Sequence, residues 1–483
     1  MVKSVTLRVL ALLLALALAG CGSQLDPDTV AGTTLAGSDA VDQGDGTFVD
    51  GTDGSVDGGA DGADGIDDGS ADDLGGDDGS GPSTGDTDTD GDGDTDSPPA
   101  VSGPKASCDG FKNGPGITDT TITVGNSSDI SGPVPGLFEA AQDATKAFVA
   151  YFNATGDICG RKLVLKTYDS RTDAGADQQA YAAACDEVFA MIGSNSAFDS
   201  GGAAAAESCG LPDVRAATLT ADRTNCSTCF GAQSVNSHEV TNAVPDYGLA
   251  HFKDASQHAA FLYLNAGASS ENAQIQAKAY EMRGMHFDYI AGIDVAEFNY
   301  APFVQQLKDR DIKWVSFTGS YQADVRLLQA MQQQDYRPDV YMTDPTIYVS
   351  DFVESGGSAA EGVTVYTNFV PFEEAASSKE MSLYLSWLQQ VKPGAEPTFF
   401  GTFAWSAARL FTEQAFKLGG KLTRESLVAA LRGVADWTAN GLHAPQQVGS
   451  KSTGDCFRFL TLEDGDWKPS FGTKYSCPGI TKA

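Results

Sequence analysis

Between residues 22 and 104 the chain lacks the side chains needed to make a core. This 83-residue stretch holds 22 Asp and 20 Gly, and no Lys, Arg or Glu. Low hydrophobicity with high net charge cannot offset the entropy lost on folding, so the stretch reads as a disordered tether. It also carries most of the formal charge of the chain, −34 from 65 acidic and 31 basic residues. Without those Asp, and without Lys3 and Arg8 before them, residues 105–483 carry −14. An acidic balance of this kind disfavours a nucleic-acid partner, because phosphate binding wants a basic face. The remaining 379 residues are enough for two ordinary domains.

Fully extended, the stretch would reach about 270 Å. As a Gly-rich coil it would typically span roughly 50 Å, and more once Asp residues repel one another. One segment, Asp86-Thr-Asp88-Thr-Asp90-Gly91-Asp92-Gly-Asp94, has the alternating oxygens of the first half of a calcium loop. Its twelfth position is Ser97, where a bidentate Glu is needed. It therefore reads as solvated linker, with weak divalent-cation binding as the alternative reading.

Residues 1–20 read as an export signal. Lys3 and Arg8 precede an apolar run of 11 residues, Val9 to Ala19, too short to span a membrane stably. Leu18-Ala19-Gly20-Cys21 follows and resembles a bacterial lipobox. That resemblance implies that Cys21 becomes the lipidated N-terminus, on the outer face of the cell membrane, with residues 21–107 as lipidated Cys and linker. Eight further cysteines remain: Cys108, Cys159, Cys185, Cys209, Cys226, Cys229, Cys456 and Cys477. An even count in an exported chain implies disulfides. Closeness in sequence favours Cys185–Cys209, Cys226–Cys229 and Cys456–Cys477, leaving Cys108 with Cys159. The Cys226-Ser-Thr-Cys229 spacing also suits zinc or a redox pair, but there is no second CxxC and His238 is the nearest His.

From Cys108 onward, short β-rich runs alternate with helical ones. Thr121–Val124, Leu163–Tyr168 and Ala190–Ile192 read as strands, separated by helices over Leu137–Phe152 and Ala174–Phe189. The alternation returns with strands at Ala260–Leu264, Phe287–Ala291, Ile312–Phe317, Val340–Met342 and Gly362–Tyr366. The helices between them are expected at Glu271–Arg283, Tyr300–Arg310 and Ala323–Gln334. This predicts an α/β fold with two lobes, each a parallel sheet covered on both faces. Ligands of such sheets sit at the carboxyl ends of the strands. The corresponding loops, at 125–129, 193–196, 217–220, 267–270, 318–321 and 343–345, are rich in Gly, Ser, Thr, Asn and Asp. They offer N–H groups and hydroxyls to a small polar ligand.

Gly116-Ile-Thr-Asp119, Thr121-Ile-Thr-Val-Gly125 and Asp129-Ile-Ser131-Gly132-Pro133 are followed by a helix ending Ala150-Tyr-Phe152-Asn153. Gly160-Arg-Lys-Leu163, Met191-Ile-Gly193-Ser194 and Pro397-Thr-Phe-Phe-Gly401 continue the pattern. In order, these resemble the type I periplasmic binding proteins, in particular the Leu/Ile/Val-type substrate-binding proteins of ABC transporters, over about residues 117–440. The resemblance implies two Rossmann-like lobes joined by a three-strand hinge, with ligand in the cleft. Lobe one would comprise 108–245 plus 366–440, and lobe two 246–365 plus 441–483. It implies that Ser196, Ala197, Phe198, Ala217 and Thr218 hold a ligand carboxylate. Tyr321 would close the site and Asp344 would hold an α-amine. Ser269 and Ser270 stand where amino-acid binders often carry an aromatic, which hints at a more polar ligand.

The resulting expectation is an extracytoplasmic solute-binding lipoprotein of an ABC importer, monomeric and without cofactor. Its ligand would be an amino acid or similar small polar organic acid, and its partner an ABC permease. The alternative is a ligand-sensing or partner-binding lipoprotein with the same fold. An exported enzyme is the third reading. No HExxH or Walker motif supports it, and the five His, at 238, 251, 258, 286 and 443, show no metal spacing. Glu373-Glu374 reads as a solvated face.

Overall fold

The structure, a computed structural model, describes residues 105–483. The export signal, the lipobox Cys21, the Asp/Gly tether and its calcium-like segment lie outside the described residues.

The first half of the chain builds one sheet. Its elements are β1 (Thr121–Ser128), α1 (Glu139–Thr155), β2 (Lys162–Asp169), α2 (Ala174–Glu187), β3 (Ala190–Ile192), α3 (Ser200–Ser208), β4 (Asp213–Ala217), α4 (Ala221–Asn225) and β5 (Cys229–Gln233). The strands are all parallel, in the order β2-β1-β3-β4-β5. Each crossover carries a helix, as parallel pairing requires. Helix α1 forms because Ala141, Ala144, Phe148, Tyr151 and Phe152 recur at helical spacing, and all five are buried. Helix α2 starts where Asp173 accepts a hydrogen bond from the Ala176 N–H, an N-cap.

After β6 (Glu239–Thr241) and α5 (Ala243–His251) the chain enters a second sheet. This half adds β7 (Ala259–Leu264), α6 (Gly267–Arg283), β8 (Phe287–Ile293), α7 (Ala301–Asp309), β9 (Trp314–Thr318), α8 (Tyr321–Gln333), β10 (Val340–Thr343), α9 (Ser350–Gly356) and β11 (Val363–Thr367). The chain then returns with α10 (Lys379–Val391), α11 (Phe399–Leu418) and α12 (Arg424–Leu431). Helix α11 packs between α1 and β4 of the first lobe. It is apolar almost all round, as a helix enclosed on every side must be. Finally β12 (Arg458–Glu463) and β13 (Asp466–Ser470) extend the second sheet antiparallel, and β14 (Ile480–Lys482) pairs with β6. The second sheet runs β13-β12-β11-β10-β9-β7-β8. The fold is thus α/β with parallel sheets in two lobes, as the alternation implies. The antiparallel edge was not legible in it.

Three segments cross between the lobes, near 234–241, 368–370 and 442–454, and they bond to one another. Ser234 N–H donates to Gln446 Oε1 (2.9 Å), Gly454 N–H to Ser234 O (3.1 Å), and Ala444 N–H to Asn368 O (2.7 Å). The third crossing also holds a fully buried imidazole. His443 Nδ1 lies 2.9 Å from Ala444 O, so it carries the proton, and Nε2 accepts from the Ser406 hydroxyl at 2.8 Å. Burial pushes the His443 pKa down to about 4.

All eight described cysteines are paired: Cys108–Cys159, Cys185–Cys209, Cys226–Cys229 and Cys456–Cys477. The CxxC is therefore a disulfide, and no cluster of His, Cys, Asp and Glu among the described residues could hold a metal. No helix among them is long and apolar enough to cross a membrane. Glu373 is exposed and Glu374 half-buried, and each has a partner. Tyr348 donates its hydroxyl to Glu373, and Arg458 Nη2 lies 2.9 Å from Glu374.

Beneath the first sheet's outer strands lies a fully buried ionic network. Arg223 contacts Asp177 (2.8 Å) and Asp213 (2.9 Å), and Arg215 contacts Asp213 (3.3 Å) and Tyr181. Burial raises the Asp177 carboxyl, and the two guanidiniums oppose it. Arg223→Ala should cost about 3–5 kcal/mol, because Asp177 would stay buried without its contacting cation and Asp213, of its two cations, would keep only Arg215. Urea denaturation checks this. The His443 shift gives a second outcome. As pH falls below 6.5 the unfolded imidazole takes a proton that the folded one refuses until about 4. This contribution is complete above pH 6.5 and is lost as pH falls toward 4, on the order of 3 kcal/mol. Urea curves at pH 7 and 4.5 should show His443→Gln losing less stability on acidification than the parent chain.

Candidate functional site

The strand-end loops of the first lobe are organised by one carboxylate. Asp129, at the end of β1, is fully buried. It accepts from Ser170 Oγ (2.6 Å), Thr172 N–H (2.9 Å), Ser196 Oγ (3.1 Å) and Ala197 N–H (2.8 Å). These come from the loops after β2 and β3. Burial raises its pKa, and the four donors pull it back. Asp199 does the same for the next loop, accepting from Leu219 N–H (2.8 Å) and Thr220 Oγ1 (2.6 Å).

The second lobe meets these loops directly. At the start of α6, Ala268 N–H donates to Ala197 O (3.0 Å). Glu271 Oε1 accepts from Ala221 N–H (3.0 Å), and Asn272 Nδ2 donates to Leu219 O (3.2 Å). Across the same cleft Ser350, at the start of α9, donates to Glu396 before α11. Gly267 makes the approach possible. Its φ is +50°, and a Cβ there would stand 2.6 Å from Ala197 O.

Between the lobes and the crossings is a cavity of about 390 Å³. The first lobe contributes Pro133, Val134, Leu137, Phe138, Ala197, Phe198, Phe399 and Phe400. The second contributes Ser269, Asn272, Ile275, Gln276, Tyr280, Thr318, Ser320, Asp344 and Thr346. The crossings add Val235, Ser237, Glu239, Val240 and Thr453. Tyr366 and Phe457 line it beyond the crossings, with ring centroids 5.6 Å apart. The walls are mostly apolar, so the more polar ligand hinted at by Ser269 and Ser270 does not match them.

The predicted contacts divide. Ala197, Phe198, Ser269 and Asp344 are on the wall. Ser196 is buried behind it, holding Asp129. Ala217 is buried in β4, where its carbonyl accepts from Arg215 Nε (3.1 Å). Thr218 Oγ1 donates to Val235 O (2.9 Å), and Ser270 Oγ to Gly267 O (3.2 Å). Tyr321 lies at an outer recess of the cleft with Lys392, its hydroxyl on Asp351 (3.0 Å). The expected carboxylate cradle is thus occupied from within: the Ala197 N–H and the Ser196 hydroxyl both serve Asp129.

Asp344 N-caps a short 3-10 turn through Thr346 N–H (2.8 Å) and has no cationic partner. Burial raises its carboxyl. Glu239, the other acid on the wall, is neutralised by Lys482 (3.0 Å) and by Ser452 and Thr453. Sequence reasoning missed Tyr280, Tyr366, Phe457 and Phe399-Phe400. One signal was available: Ser269, Asn272, Gln276 and Tyr280 share a face of α6 at helical spacing.

The family comparison matches the periplasmic binding protein model over residues 121–466, so the chain belongs to that family of solute-binding proteins. Solved structures share its fold. One is a putative branched-chain amino acid ABC transporter protein from Rhodospirillum rubrum, at 20% identity and TM-score 0.55, covering 72% of this chain and 100% of that one. Another is the branched-chain amino acid transporter substrate-binding protein of Streptococcus pneumoniae in complex with isoleucine. It is 14% identical, with TM-score 0.63, covering 74% of this chain and 100% of its own. A third is a fatty acid ABC transporter substrate-binding protein from Thermomonospora curvata, at 17% identity and TM-score 0.63, covering 78% and 97%. A search of curated proteins found no match.

Gly267→Val should hold the lobes apart, because its side chain would clash with Ala197 O. Small-angle scattering should report a larger radius of gyration than for the parent chain.

Proposed function

We propose that this chain is the solute-binding lipoprotein of an ABC importer. The observation that carries the reading is the cavity walled by both lobes and two of the three crossings, with backbone and side-chain hydrogen bonds directly across the cleft. A cavity of about 390 Å³ suits a small organic solute, an amino acid or a molecule of similar size. Closure would trap it, since the ligand can meet both walls only when the lobes approach, and differential affinity for the closed form drives the transition. The closed form would then dock on the permease. In this reading Ala197, Phe198, Ser269 and Asp344 touch the ligand, while Ser196, Ala217, Thr218 and Ser270 support the loops behind them. Lobe one takes 108–245 plus 366–440, and lobe two 246–365 plus 441–483. The monomer is held to the outer face of the membrane by lipid on Cys21, with the acidic tether between.

The test is a solute screen by thermal shift and calorimetry. A true ligand at a hundredfold its Kd should stabilise the chain by about 2.7 kcal/mol without being consumed. It should also shrink the radius of gyration of any open population. If no solute does either, the reading fails.

A further inference from the structure

Charge in the cavity is one-sided. None of the described residues lining it is Lys, Arg or His. Its two acids differ: Glu239 has Lys482, whereas Asp344 is held by Thr346 alone and has no cation among the described residues. Four N–H and hydroxyl groups of the first lobe's loops, from Ser170, Thr172, Ser196 and Ala197, are spent on Asp129, and the Leu219 N–H and Thr220 hydroxyl on Asp199. An anionic ligand would therefore be buried without a counter-charge, which is strongly unfavourable. A cation would find one.

The surroundings of Asp344 sharpen this. Tyr280 is almost wholly buried, lines the cavity and makes no hydrogen bond through its hydroxyl to any described residue. Tyr366 lines the same region with its hydroxyl likewise free. Burial raises both phenols; the Asp344 charge adds to this at Tyr280, and Tyr280 and then Asp344 add to it at Tyr366. Ser237 Oγ, also on the wall and buried, has no partner either. Tyr366 meets Phe457 edge to face. Asp344 thus shares one cavity with three aromatic rings, a combination that suits an organic ammonium through charge and cation–π attraction. Beyond it, Ile275 and Val240 offer only apolar contact.

We propose that the solute is an organic amine with an apolar body and no carboxylate, its ammonium held by Asp344 among Tyr280, Tyr366 and Phe457. This rests on the solute-binding reading above and narrows it to a ligand class.

Three probes sharing one ring separate the charge states: phenethylamine, phenylalanine and 3-phenylpropionate, titrated calorimetrically into the full chain at pH 7. Phenethylamine should bind at least tenfold more tightly than phenylalanine, and 3-phenylpropionate should give no heat of binding. Asp344→Asn keeps the acceptor that caps Thr346 and should weaken phenethylamine at least tenfold. Tyr280→Phe, which retains the ring, should weaken it severalfold and serves if the Asn variant does not fold. Equal or tighter binding of phenylalanine or 3-phenylpropionate overturns the proposal, as does absence of phenethylamine binding, or its persistence unchanged in Asp344→Asn. In those cases lobe closure by another solute in scattering leaves the transport reading standing. Closure by none removes both.

Discussion

A single buried carboxylate organises the working end of this protein. Asp129 gathers donors from two neighbouring loops onto one side chain, and so fixes where the backbone of Ala197 sits. Everything at the cleft follows from that placement. Ala197 O becomes the acceptor for α6 of the opposite lobe, and Phe198 is turned to the cavity. Removing a carboxylate from water is costly, and four donors are what makes this one tolerable. The same donors are thereby withdrawn from any ligand. The rigidity of the lobe and the selectivity of its cavity come from one arrangement of atoms.

Much of the architecture was legible in the sequence because periodicity is local. The strands at Thr121, Leu163 and Ala190 and the helices between them follow from alternation alone, and their observed ends differ by only a few residues. Helix α6 begins at Gly267 rather than Glu271, because Ala197 of the other lobe caps its first turn, and no local pattern encodes that. The antiparallel β12 and β13 were missed for a related reason. They follow β11 in the sheet but lie about ninety residues away in the chain.

The site was less legible. Loops at strand ends did point to the cleft, and four of the nine expected contacts stand on its wall. Hydroxyl-rich loops, however, satisfy their own backbones as readily as they satisfy a ligand. Ser196, Thr218 and Ser270 each have an internal partner. Tyr280, Tyr366 and Phe457 escaped because they come from a helix face, from β11 and from the residue before β12. Only the three-dimensional path of the crossings brings those residues to one space.

The contact between Ala268 and Ala197 joins one main chain to another. No side chain is involved, so the bond is indifferent to what the cavity walls are made of. Residues around the chamber that make no bond across the cleft can be exchanged while this main-chain contact stays. The device that brings the halves together is thereby separable from the device that chooses the cargo. A lineage of such chains could change what it carries without having to reinvent how it shuts.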